Sequence, residues 1–270
     1  MTLKKLPLAL GLFVMISACG GSSSSDGGGS GGGDTPVGAT SASQGLNEAG
    51  LTGRIGEFGN FIASNDANSF TFFADGENDF EIEGFGVFTR RVVSSGGSSG
   101  PDYAIFGETE SGSGQAQVFG VDFSDANAAT ADVFRIGSTL VPTSGDITYT
   151  GNYGALLFRV EGTTNTTTAI IEGDVELTAS FADSSAISGS IFNRERIDAS
   201  GSYEDILFET STISDGAFSG TATSEDSATD GDYTGLIVGS DGSEVVGSVL
   251  IEHDSSSTEL LEVGVFTAEE

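Results

Sequence analysis

Between positions 174 and 181 the chain reads Asp-Val-Glu-Leu-Thr-Ala-Ser-Phe, and apolar and polar side chains alternate without a break. Val175, Leu177, Ala179 and Phe181 fall on one face, and Asp174, Glu176, Thr178 and Ser180 on the other. A period of two is the signature of a strand with one buried face; a helix would scatter the same residues around its circumference. The pattern recurs at 146–150 with Ile147 and Tyr149, and at 79–83 with Phe80 and Ile82 set against Asp79, Glu81 and Glu83. Further strands are predicted at 154–161, 185–193, 204–211, 216–223, 232–239, 243–252 and 259–267, and weaker ones at 69–74, 79–93, 102–109, 115–122 and 131–137. Short Gly, Asp and Ser turns separate them. Asp215-Gly216 and Asp241-Gly242 are hairpin dipeptides, because glycine accepts the positive φ that tight turns need. Closely spaced antiparallel strands imply an all-β chain whose sheet closes on itself or stacks on another. One exception is expected near 124–132, where Ser124 is placed to cap a short helical turn.

The first 38 residues follow different rules. Lys4 and Lys5 precede an eleven-residue apolar run from Leu6 to Ile16. That run is too short to cross a bilayer, which takes about 20 residues, and it fits the core of a secretory signal. It ends in Ile16-Ser17-Ala18-Cys19, and Cys19 is the only cysteine in the chain. A lone cysteine forms no intrachain disulfide. Its place after two small residues matches the lipobox of bacterial lipoproteins, which assigns 1–18 to a signal peptide and Cys19 to lipidation. Gly20 follows, not the aspartate that retains lipoproteins in the inner membrane, so the resemblance to such lipoproteins implies an outer-membrane location. Residues 20–38 are almost pure Gly and Ser and have too little to bury to offset their ordering entropy. As a coil of about 20 residues they span roughly 25 Å, which suits a tether.

Both lysines leave with the signal, so the mature chain has seven Arg against 40 Asp and Glu, a balance of −33. Nucleic-acid binding through a basic face is excluded. A composition break at 140–145, Leu-Val-Pro-Thr-Ser-Gly, divides the body into a β-rich unit at 39–139 and a more regular one at 140–270.

From Pro142 onward the chain resembles the transferrin-binding-protein-like lipoproteins, in their C-terminal barrel domain. The motifs are Pro142, Gly145 and Tyr149-Thr150-Gly151; residues 173–191 with a terminal Ser188-Gly189-Ser190; Phe218-Ser219-Gly220; the hairpin at 232–251; and the closing Gly264-Val265-Phe266. The resemblance implies an eight-stranded antiparallel barrel preceded by a smaller, less regular β handle. It also implies a single-lobe surface lipoprotein. Full receptors of this type carry two lobes, so transferrin is not carried over as a ligand. An eight-stranded barrel is filled by its own side chains, which puts binding at the barrel rim and on handle loops.

Catalytic and metal patterns are weak. Gly96-Gly97-Ser98-Ser99-Gly100 matches G-x-S-x-G, but Pro101 and another β pattern follow instead of the helix a nucleophile elbow requires. The only histidine, His253, ends a predicted strand. One His or a Tyr can hold haem iron, yet the mature part offers this His, five Tyr and no Met. No EF-hand spacing occurs among the acidic loops. The expected function is therefore non-catalytic capture of a ligand, with a protein partner ahead of haem and transfer to an outer-membrane transporter as a further expectation. The alternative is an envelope-structural lipoprotein with no small-solute ligand. No cofactor and no metal site is expected.

Overall fold

The structure is a computed structural model describing residues 39–47, 50–74, 80–90, 101–123, 126–161, 164–182, 185–224, 229–253 and 259–270. In chain order its strands are β1 (Thr40–Asn47), β2 (Thr52–Ile55), β3 (Phe61–Ser64), β4 (Ser69–Phe72), β5 (Phe85–Arg90), β6 (Asp102–Glu108), β7 (Gly114–Phe123) and β8 (Ala126–Arg135). Then come β9 (Asp146–Glu161), β10 (Thr164–Ser180), β11 (Ala186–Arg196), β12 (Ile206–Thr212), β13 (Ala217–Ser224), β14 (Thr229–Val238), β15 (Glu244–His253) and β16 (Glu259–Glu269). No helix occurs among the described residues.

The last eight strands form a closed antiparallel barrel in which each pairs with the next and β16 pairs back onto β9. Closure removes the free edges that an open sheet would present. β1, β8, β7, β6 and β5 form a five-stranded sheet in that order, and β2, β3 and β4 a three-stranded one. The eight-stranded barrel and the smaller β handle expected from the resemblance are thus the fold of this chain.

Three layers result. The five-stranded sheet lies on the barrel wall, where Ile105, Ala116, Val118, Ala129, Ala131 and Val133 share a buried cluster with Leu156, Phe158, Leu250, Leu261 and Val263. Its other face, through Ala104, Phe119, Val121 and Ala128, packs on Phe61, Phe70 and Phe72 of the three-stranded sheet. Polar contacts pin the seam. Glu244 accepts from the Ser111 amide at 2.9 Å and from the Ser113 hydroxyl at 2.9 Å. The Ser248 hydroxyl donates to Gln44 at 2.9 Å, and Arg135 donates to the carbonyl of Asp215 at 3.0 Å.

Several expectations change. The helical turn placed near 124–132 is strand β8 from Ala126 onward, paired on both sides by β1 and β7. Its alanines are good helix formers, but Ala128, Ala129 and Ala131 are fully buried between two packed layers, and that burial outweighs propensity. The alternation at 79–83 does not make a strand over its described residues. Ile82 and Phe85 bridge across a tight turn, with Gly84 at φ +77°, and the strand starts at Phe85. The predicted strands at 146–150 and 154–161 are one, β9. The Asp215-Gly216 hairpin is present, with both residues at positive φ between the bridged Ser214 and Ala217. Strands β1, β2 and β3 carried no sequence signal.

Phe158 shows how tightly the layers meet. It is fully buried, and a Cβ on Gly120 of β7 would stand 2.3 Å from its ring. Phe158→Ala should therefore cost about 3–5 kcal/mol by urea unfolding. Leu207→Ala, on an outward position that is 45% exposed, should stay within about 0.5 kcal/mol.

Candidate functional site

The barrel interior is closed by aromatic rings seated on glycines. Phe266 lies over Gly247, Phe218 over Gly235, and Tyr153 over Gly264; a Cβ at any of these would come within 2.4 Å of the ring. Phe208 and Tyr233 stack with centroids 4.5 Å apart. Tyr149 closes one end by donating to the carbonyl of Gly242 at 2.8 Å, with Val141 and Phe181 packed beside it in the same core.

Toward the other end, four strands bring polar groups together inside the barrel. Glu262 of β16 is fully buried and ion-paired to Arg194 of β11, which is itself 2% exposed. The Tyr153 hydroxyl donates to Glu262 at 2.8 Å. His253 Nε2 lies 2.8 Å from the other carboxylate oxygen, and the Arg194 guanidinium stands 5.4 Å from the Tyr203 ring. Burial alone would push the Glu262 carboxyl up. The Arg194 charge and the contacts from His253 override it and hold the group down at about 2. Arg194 is correspondingly raised, with burial opposing and Glu262 prevailing. Burial and the neighbouring carboxylate push the Tyr153 hydroxyl well above its ordinary value.

On the outside, two clefts meet at Asn152 along the seam between handle and barrel. One, about 300 Å³, is lined by Glu108, Glu110 and Glu269; the other, about 260 Å³, by Glu83, Glu172, Asp174 and Glu195. Burial and the like charges of Glu195, Asp174 and Glu83 raise the Glu172 carboxyl. In the handle, the turn between β2 and β3 holds Phe58 in water at 91% exposure. Its backbone is tied by Gly56 donating to Asn60 at 2.8 Å and Gly59 to Gly56 at 3.0 Å.

Cys19, the signal, the tether and the Gly96–Gly100 match lie outside the described residues. His253 ends β15 as expected, with its ring turned into the barrel cluster. Since the paired carboxylate accepts, His253 Nε2 carries the proton of that contact and is not presented to an outside ligand. The hydroxyls of Tyr149, Tyr153 and Tyr233 are likewise bonded within the protein. Sequence reasoning missed Glu262 and Arg194. Glu262 had a signal: it shares the inward face of β16 with Gly264, Phe266 and Ala268, so a carboxylate stood on an apolar stripe. Arg194 had none, because Asn193, at φ +52°, breaks the alternation just before it.

No family model matches the chain, and no curated protein matches it. Among solved structures it is similar to transferrin binding protein B from Haemophilus parasuis Hp5, with TM-score 0.47 and 14% identity over 86% of this chain and 44% of that one. It is similar also to transferrin binding protein B from serogroup B Neisseria meningitidis, with TM-score 0.46, 13% identity, and 85% and 43% covered. A third is HpuA from Kingella denitrificans in complex with human haemoglobin, with TM-score 0.34, 14% identity, and 86% and 85% covered. The chain spans under half the length of these two transferrin binding protein B structures.

The buried pair makes a pH-dependent prediction. A carboxyl depressed in the folded state stabilises above its ordinary value of 4.5 and loses that contribution as pH falls toward about 2. Glu262→Gln leaves the Arg194 charge without its partner and should cost about 3–5 kcal/mol at neutral pH. The gap between the wild-type and E262Q urea midpoints should narrow steadily as pH drops from 4.5 toward 2. A gap that stays constant would show that the pair does not govern acid stability.

Proposed function

We propose that this chain is a lipid-anchored, non-catalytic binding protein of the outer-membrane surface, holding a protein partner through loops of its handle and barrel rim. In this reading residues 1–18 are the signal, 19–38 the lipidated Cys19 and its tether, 39–139 the handle and 140–270 the barrel. The observation that carries it is Phe58, a large aromatic side chain held in water on a hydrogen-bonded turn of the handle. Aromatic side chains, Phe among them, are enriched at protein interfaces, where a few residues carry most of the binding energy. The ring-filled interior supports surface binding over capture of a solute within the barrel. Commitment of His253 to Glu262 supports a protein partner over haem.

Two experiments test this. Cys19→Ser should abolish metabolic palmitate labelling and move the protein from the membrane to the soluble fraction; retention in the membrane would refute the anchor. Pull-down from native medium with the full chain should retain a partner that Phe58→Ala binds about 30-fold more weakly, with an unchanged melting temperature. If wild type retains nothing, the envelope-structural function replaces the binding one.

A further inference from the structure

The five-stranded sheet has two outer strands, and they are treated differently. At β5, Phe73 crosses to Thr89 and exchanges both backbone hydrogen bonds with it, at 2.8 and 2.9 Å. At the other side β1 is the last strand, and no strand among the described residues pairs with its second edge. Alternate residues of an antiparallel strand direct their N–H and C=O groups away from the neighbour they pair with. β1 is eight residues long and holds neither Pro nor Lys, which are common devices for blunting an edge.

Beside this edge runs a groove of about 150 Å³. Ala42, Ser43 and Gln44 form one wall, and residues 219–221 of β13 with residues 232–234 of β14, Asp232 among them, form the rest. Ser219 and Thr221 are exposed, so the barrel continues beyond β1 as an uncovered polar floor. Asp232 is half-buried in this groove, and no ion pair or hydrogen bond engages its carboxylate among the described residues. Burial raises its pKa with no compensating partner among the described residues, so a cation there would relieve a cost already present.

We propose that the free edge of β1 docks an extended basic segment of another protein, which adds a strand to the five-stranded sheet and places a Lys or Arg side chain on Asp232. Main-chain hydrogen bonds supply affinity in strand addition and side-chain pockets supply selectivity. The occupant must bring the cation. Residues 20–38 of this chain contain no Lys or Arg, and neither does β1 itself. That disfavours both the chain's own tether and a β1-to-β1 pairing with a second copy, which the −31 net charge also opposes. This surface is separate from the Phe58 turn and does not depend on the lipid anchor.

The test uses the full chain in detergent and a fluorescein-labelled synthetic peptide of alternating Thr and Val with one central Lys. Anisotropy should show saturable binding that Asp232→Asn weakens about tenfold, the loss of one charge-assisted contact. A peptide with Glu in place of Lys should not bind, nor should one N-methylated along a single edge. Amide exchange should slow in residues 40–47 on binding. The proposal is overturned by absent binding, by equal affinity for D232N, by protection elsewhere, or by a concentration-dependent dimer of the chain that the peptide fails to displace.

Discussion

A strand buried on both faces has to satisfy two cores at once, and β9 sets the plan of this molecule by doing so. Tyr149, Tyr153, Ala155 and Leu157 turn into the barrel, while Leu156 and Phe158 turn out beneath the five-stranded sheet. The same strand closes the barrel against β16. β15 repeats the arrangement: Val245, Val249 and Ile251 face in, and Val246 and Leu250 face the handle. Barrel closure and handle docking therefore draw on the same strands, because the side chains that secure each alternate along the same backbone.

Inside the barrel the cost of burying charge is met by grouping it. An isolated carboxylate in that interior would neutralise, whereas Glu262 stays ionised because Arg194, Tyr153 and His253 converge on it. Such a pair is weak evidence for net stability, since a well-packed apolar replacement can do as well. Its geometry does depend on register: four strands present their polar groups at one level, and a slip of one residue would turn a strand's group to the outer face. Tyr233 serves a related end. Where β12 and β13 lose their ladder beyond Phe208, its hydroxyl reaches Ser211 at 2.9 Å and the carbonyl of Glu209.

With the interior occupied, three features of the surface stand out, and they differ in chemistry. The Phe58 turn offers an apolar anchor, the clefts at Asn152 concentrate carboxylates, and the β1 edge offers backbone groups beside one desolvated aspartate. A balance of 40 acidic against nine basic residues would steer a basic molecule toward any of them mainly through its association rate.

Alternation at 174–181 and 146–150, with hairpin dipeptides such as Asp215-Gly216, was enough to determine an all-β chain with antiparallel strands, because a period of two belongs to the backbone itself. The stripe of Gly264, Phe266 and Ala268 interrupted by Glu262 was legible in the same way. The polar strand β1 was not, since its pairing comes from β8 and not from any pattern of its own. Nor was the first half of β8, whose alanines favour helix until two layers close on them; its second half fell within the strand predicted at 131–137. The meeting of Arg194 with Glu262, and of β1 with Asp232, joins residues far apart in sequence. Only barrel closure and the docking of the handle bring them within reach, for the period of a strand says which way a side chain points and nothing about what it will find there.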